Sequence, residues 1–118
     1  MQTIALILMA SMVYAQDITG QWNGTLSIQG NQIRIIFHVK KTNSQYEVTL
    51  DSPDQNATGI KVTATEFRYP NVKFEISGLD AVYEGTLSDK SIVGKWSQSG
   101  TALFLALVKK EDSPDKAR

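Results

Sequence analysis

Ile18-Thr-Gly-Gln-Trp-Asn-Gly-Thr-Leu-Ser-Ile28 alternates at almost every step. Ile18, Gly20, Trp22, Gly24, Leu26 and Ile28 fall on one side, and Thr19, Gln21, Asn23, Thr25 and Ser27 on the other. A repeat of two is that of a β-strand with one buried face. Gly20 and Gly24 flank Trp22 on its own face, where they leave room for the indole or let the strand bend. A second Gly-x-Trp, Gly94-Lys95-Trp96, comes near the other end of the chain. Trp22 and Trp96, each with its glycine (Gly20 and Gly94), are read as structural anchors of a sheet that curls until its first and last strands meet.

Outward from this stretch the same period recurs. A strand over 33–41 puts Ile33, Ile35, Phe37 and Val39 inward and Arg34, Ile36, His38 and Lys40 outward. A strand over 45–51 turns Tyr46, Val48 and Leu50 inward. Residues 51–59 hold Pro, Asn and Gly and are read as a long loop at one rim. Strand four, over 60–67, changes phase between Ala64 and Phe67, so a bulge is expected near Thr65 or Glu66. Later strands carry Val72, Phe74 and Ile76, then Tyr83, Gly85 and Leu87, then Ile92, Gly94 and Trp96 on their inner faces. The last, over 101–109, is apolar on both faces: Leu103, Leu105 and Leu107 on one, Ala102, Phe104, Ala106 and Val108 on the other. About eight short strands joined by tight turns predict an all-β fold. The expected architecture is a small antiparallel meander closing into a lipocalin-like barrel of about eight strands, since closure removes exposed edges. Six large aromatic side chains (Trp22, Phe37, Tyr46, Phe74, Tyr83 and Trp96) point inward, which favours a mostly filled interior. A two-sheet sandwich is the alternative.

Residues 1–15 are uncharged and mostly apolar, with Val13-Tyr14-Ala15 offering compact residues where a signal peptidase reads. Cleavage is expected after Ala15, against the alternative of a buried N-terminal strand. A stretch this short does not span a bilayer, which takes about 20 apolar residues. The expected organisation is a signal peptide over 1–15, a β-barrel domain over 16–109 and a charged, flexible tail or linker remnant over 110–118. The location implied is secreted or periplasmic, with no stable membrane insertion once the signal is removed. The chain has no cysteine, so disulfides and thiolate metal sites are excluded. Its 12 basic and 12 acidic residues are interspersed and sum to zero charge. No basic stripe is present, which argues against nucleic acid as a partner.

Candidate chemistry is sparse. His38, the only histidine, lies on an outward face and fits a solvated surface residue better than a catalytic base. No Gly-x-Ser-x-Gly elbow accompanies it. Asp51 and Asp54, with Asn56, can be drawn around a calcium ion, but their spacing lacks the alternate-position pattern of a dedicated loop. Local hydrogen bonds around Pro53 explain them better. No metal, cofactor or catalytic residue is assigned, and the chain is not expected to be an enzyme. Gln98 continues the inward phase of Trp96. It either contacts a ligand or ties down the 51–59 loop, or else it lies past the strand end in solvent. Phe104, with outward Ile36, Val82 and Val93, marks either a docking face or an ordinary flank of the sheet. The candidate binding residues are therefore Asp51, Ser52, Asp54, Gln55, Gln98 and Phe104.

Four stretches carry a family resemblance: Ile18-Thr-Gly-Gln-Trp-Asn-Gly-Thr-Leu26, Leu50-Asp-Ser-Pro-Asp-Gln-Asn-Ala-Thr-Gly-Ile60, Tyr83-Glu-Gly-Thr-Leu87 and Ile92-Val-Gly-Lys-Trp-Ser-Gln-Ser-Gly100. Together they resemble the N-terminal accessory β domain of secreted Bacteroidetes-type α/β-hydrolases, which are serine esterase- or peptidase-like. In that family a linker and then the catalytic domain follow. Here no nucleophile elbow follows, so no catalytic residue carries over. The resemblance implies a secreted, non-catalytic β domain that stands alone or is split from its enzyme. Two functions are expected from this reading. The first is an accessory module docking on a hydrolase domain or other protein through the outward face of the last strand, with the 51–59 loop near the partner's site. The second is a small lipocalin-like binder of an apolar molecule, for which a filled interior would be disqualifying.

Overall fold

Alternating sequences of this kind have one way to satisfy their backbones, which is to pair with one another edge to edge. In the computed structural model, which describes residues 17–111, they do so as an antiparallel meander. Its strands are β1 (Gly20–Ile28), β2 (Asn31–Thr42), β3 (Gln45–Ser52), β4 (Ala57–Lys61), β5 (Ala64–Arg68), β6 (Asn71–Ile76), β7 (Ala81–Ser88), β8 (Ser91–Gln98) and β9 (Thr101–Lys109). The order across the sheet is β4-β3-β2-β1-β9-β8-β7-β6-β5. The first and last strands do meet: Trp22 stands opposite Lys109 and Asn23 opposite Val108. The Lys110 N–H adds a further bond to the Gln21 carbonyl at 2.8 Å.

The sheet curls into a barrel-like wall, with its two edge strands, β4 and β5, consecutive in the chain. This corrects the single strand expected over 60–67. The change of phase occurs earlier than Thr65, at Val62 and Thr63, where the chain leaves one partner for another. The Val62 N–H donates to the Val48 carbonyl on β3, at 3.0 Å, and the next N–H, of Thr63, donates to Glu75 on β6, at 2.7 Å. One chain segment thus straddles the seam, and the strand count becomes nine. Phe67 then packs from β5 against the same core that Val62 enters from the other side.

The long rim loop is also absent. β3 runs on through Ser52, a one-turn 3₁₀ helix covers Pro53–Gln55, and β4 is already paired at Ala57. Proline suits the first position of such a turn because its φ is fixed and its missing N–H is not needed. Asn56 closes the turn in the left-handed region (φ 57°), its N–H on the Pro53 carbonyl at 3.0 Å. The β6–β7 connection repeats this design at the same end of the barrel. Ser77–Leu79 forms the turn, and Asp80 (φ 54°) donates to the Ser77 carbonyl at 3.1 Å.

The interior is filled where the aromatic count says it should be. Phe37, Phe74, Tyr83 and Trp22 are buried, and the Phe37 ring lies 4.6 Å from Phe74, 6.0 Å from Tyr83 and 6.5 Å from Trp96. Tyr46 is only half-buried, in an edge-on stack with Phe67 at the opposite end from the 3₁₀ turns. The two tryptophans each find an acceptor for their indole N–H, Ile18 O for Trp22 (2.9 Å) and Gln98 Oε1 for Trp96 (3.0 Å). Gly24 makes space for β9 and its leucines. A Cβ there would lie 2.5 Å from the Ala106 carbonyl oxygen, so it permits β9 to approach β1. Signal cleavage after Ala15 and tail residues 112–118 fall outside the described residues.

Candidate functional site

The end of the barrel that carries both 3₁₀ turns gathers most of the residues singled out from sequence. β3 delivers Ser52 to it, the first turn delivers Gln55, the second delivers Leu79, and the end of β8 delivers Gln98. Between them lies a cavity of about 270 Å³. Leu26, Ile33, Ile35, Leu50 and Ile60 make its apolar wall, and the Trp96 side chain borders it. Every one of these positions follows the inward phase of its strand. Gln55 and Leu79 hold equivalent places, each the last residue of its 3₁₀ turn.

Its polar groups are bonded among themselves. Ser52, almost fully buried, has one hydroxyl proton to divide between the Arg34 carbonyl (3.2 Å) and Gln55 Oε1 (2.9 Å). Gln98 accepts from the Trp96 indole and donates from Nε2 to the Leu79 carbonyl, 3.0 Å away. Indole N–H is only a donor and a carbonyl only an acceptor, so the orientation of this amide is fixed by chemistry. Gln98 therefore ties down the 77–79 turn, not the 51–59 segment expected from sequence, because the second turn is the one beside the end of β8.

Asp51 and Asp54 are not part of this cavity. Their strand phase and turn geometry send them to the outside. Asp54 takes a bidentate grip from the Arg34 guanidinium, at 2.9 and 3.1 Å, and also accepts the Arg34 backbone N–H at 2.8 Å. These bonds, the guanidinium's first, hold its carboxyl down at about 2. Asp51 accepts from the Gly59 N–H and lies 2.8 Å from His38 Nε2. Its pKa is lowered chiefly by that Gly59 N–H, with burial opposing and the imidazole helping. His38 is thus a paired residue, not the merely solvated one expected, because the β2–β3 register sets Asp51 diagonally across from it. Local bonding accounts for both aspartates; among the described residues no three side chains of the His, Cys, Asp and Glu class cluster together.

A pH test follows from Asp54. A carboxyl whose folded pKa is depressed contributes stability in full above its unfolded value and loses it as pH falls through the folded value. Asp54→Asn is therefore expected to lower Tm by a few degrees at pH 7, since the ion pair is exposed. Thermal melts of both proteins should show the gap narrowing below about pH 4 and closing near pH 2. A gap constant across that window would mean the carboxylate charge is irrelevant and only the turn geometry counts.

Phe104 lies elsewhere, on the outer wall. It is 66 % exposed, with Val108 at 56 % and Val93 at 49 %. Val93 stands opposite Ala106, and Lys95 opposite Phe104, so Ala102, Phe104, Ala106, Val108 and Val93 form one continuous strip. Val82 and Ile36, grouped with Phe104 from sequence, sit on other strands and are half-buried. Outward positions of β1, β9 and β8 carry a single charge, Lys95, among Gln21, Asn23, Thr25, Ser27, Ser91 and Ser97. The rest of the wall differs. Lys40–Glu47, Lys73–Glu75 and Lys73–Glu84 pair across it at 3.6 to 3.9 Å. A groove of about 790 Å³ between β5 and β8 is lined by Glu66, Arg68, Lys73, Glu84 and Lys95 and has no dominant sign.

Of the candidate residues named from sequence, Ser52, Gln55 and Gln98 line the cavity and Asp51, Asp54 and Phe104 do not, while Ile60, Leu79 and the Arg34 partner of Asp54 were not among those candidates. The inward phase of Leu50 opposite Ile60 was the available signal for the first. For the other two, turn length had to be known. Compared with models of protein families, with curated proteins and with solved structures, the chain matches none of them.

Proposed function

We propose that this domain is a non-catalytic interaction module that works outside the cytoplasm and docks on a protein partner through the outer face of β1, β9 and β8. One observation carries the reading: the exposed apolar strip centred on Phe104 runs through the one part of the wall nearly free of charge. Interface cores are depleted in charge and anchored by aromatic side chains, with a polar uncharged rim. β1 pairs along its length with β2, and β8 with β9, while β1 and β9 pair at Trp22–Lys109 and Asn23–Val108; on this reading the side chains of the strip hold the partner. The partner to which the family resemblance points is the catalytic domain of a secreted α/β-hydrolase.

The test is biolayer interferometry between the domain and such a catalytic domain encoded in the same genome. Truncating or charging a central aromatic anchor costs about 2 kcal/mol or more, so Phe104→Glu should weaken binding about thirtyfold. Its Tm should stay unchanged, because the side chain is two-thirds exposed. Equal binding by the variant would remove this face from the reading. Absence of binding by the native domain would remove the hydrolase as partner.

A further inference from the structure

We infer that the cavity at the 3₁₀-turn end of the barrel is a binding site for a small, uncharged, mostly apolar molecule carrying one hydrogen-bond acceptor, such as an ester or ketone. The inference concerns the inside of the barrel and does not depend on docking by the outer face. Its first ground is shape and chemistry together. Ligand sites are apolar concavities with a few convergent polar groups, and here Ser52, Gln55 and Gln98 reach one apolar cavity from three separate segments. The centre of the barrel is packed with aromatic rings, which disqualifies a lipocalin-like central cavity, so the site is a separate pocket at one end and not a through-channel. At interior packing density, about 270 Å³ holds about ten non-hydrogen atoms.

The second ground is charge. No acidic, basic or histidine side chain lines the cavity. The nearest cation by connection, Arg34, is committed to Asp54 on the outside. An ionised carboxylate entering here would lose its hydration with no cation to replace it, a large cost. The third ground is the remaining hydrogen-bonding capacity. Gln98 Oε1 is taken by the Trp96 indole and one Nε2 proton by Leu79. Its second amide proton has no protein acceptor among the described residues. What Gln98 has left to offer is therefore a donor, for which a neutral acceptor on the ligand is the complement, and the free lone pairs of Ser52 Oγ and of the Gln55 and Gln98 carbonyl oxygens let a neutral donor be received as well.

Methyl heptanoate and octanoate test this, being isomeric apart from the ionisable proton. In a ¹⁵N NMR titration at pH 7, methyl heptanoate should shift the Trp96 indole and Gln98 side-chain signals saturably. A ligand of this size implies a Kd of about 0.1 mM. Octanoate should bind at least tenfold more weakly. Phe104→Glu should leave ester binding unchanged, which separates this site from the docking face. Ile60→Trp should fill the cavity and abolish the shifts. Should that variant fail to fold, Ala57→Leu, at a half-buried position lining the same cavity, should weaken them. The inference falls if neither probe shifts Trp96 and Gln98, if octanoate binds as well as the ester, or if ester binding survives the folded plug variant.

Discussion

Gly94→Val is expected to prevent the domain from folding at 25 °C. Gly94 stands directly opposite Gly85 on the neighbouring strand. A Cβ built on Gly94 would overlap the Glu84 carbonyl oxygen and the Gly85 Cα, which are main-chain atoms with no rotamer to escape into. The two glycines also leave the gap that the Tyr83 side chain fills. Its hydroxyl lies 2.9 Å from where a Gly85 Cβ would sit, and it donates to the Leu105 carbonyl at 2.9 Å. Leu105 is the residue opposite Gly94 on β9, so the phenol reaches across three strands. Burial pushes the Tyr83 phenol's pKa well up, so it remains a donor to that carbonyl. Overpacking a core with side-chain methylenes alone costs about 1–3 kcal/mol. Here the overlap is with backbone, and parting β7 from β8 also strands the Tyr83 hydroxyl, which adds about 1–3 kcal/mol. A domain of this size has about 5–15 kcal/mol in total, and a clash with backbone exceeds the cost of side-chain overpacking. Near-ultraviolet circular dichroism and a ¹H–¹⁵N spectrum should show loss of fixed tertiary structure. Gly78→Ala, where a Cβ meets nothing within 4 Å, should melt within about 3 °C of the native protein, the span of small surface effects. A folded Gly94→Val protein with near-native Tm would mean that β7 and β8 are not held this close.

Which parts of this molecule were legible in the sequence follows from what an alternating pattern encodes. Strand phase is a local property, so the inner faces of β1, β2, β3 and β6 to β9 could be read residue by residue. Phe67 announced a break in phase, yet nothing local says that the chain changes partners at Val62 and Thr63. That is a property of the curled sheet as a whole. Pro53, Asn56 and Gly59 announced a turn, but turn residues do not report turn length. The segment was therefore read as a long loop, when Asn56 in the left-handed region lets it reverse in a single 3₁₀ turn. The candidate site shows the same division. Gln98 was legible because polar residues in an inward phase stand out. Its partner Leu79 was not, since it becomes a wall of the cavity only once two separate turns are seen at one end. His38 and Asp51 illustrate the converse. His38 looked solvated and Asp51 locally bonded, and only the β2–β3 register reveals the pair.

Phe37→Ala should cost about 3–5 kcal/mol, the range for removing a buried aromatic side chain. Phe37 is fully buried at the middle of β2, opposite Trp22 on β1 and Leu50 on β3. From the far wall Phe74 and Tyr83 close on its ring, and Phe74 and Tyr83 themselves stack at 6.3 Å. The ring thus joins the strands before the seam to those after it. That matters more here than in a fully hydrogen-bonded barrel. β4 and β5 close the wall through chain continuity and the bonds of Val62 and Thr63, so packing across the interior must hold the two sides together. Relaxation into the vacated space is limited, because the neighbours are rigid rings anchored on separate strands. Phe37→Leu keeps most of the volume and should lose less than half as much, in line with the tolerance of cores for apolar swaps. Urea unfolding at 25 °C measures both variants. A cost under about 1 kcal/mol for Phe37→Ala would place it with surface substitutions, and would mean that the aromatic cluster does not bridge the two sides. A large cost for alanine with a small one for leucine would show that it is the filled centre, more than the open seam, that keeps the wall curled.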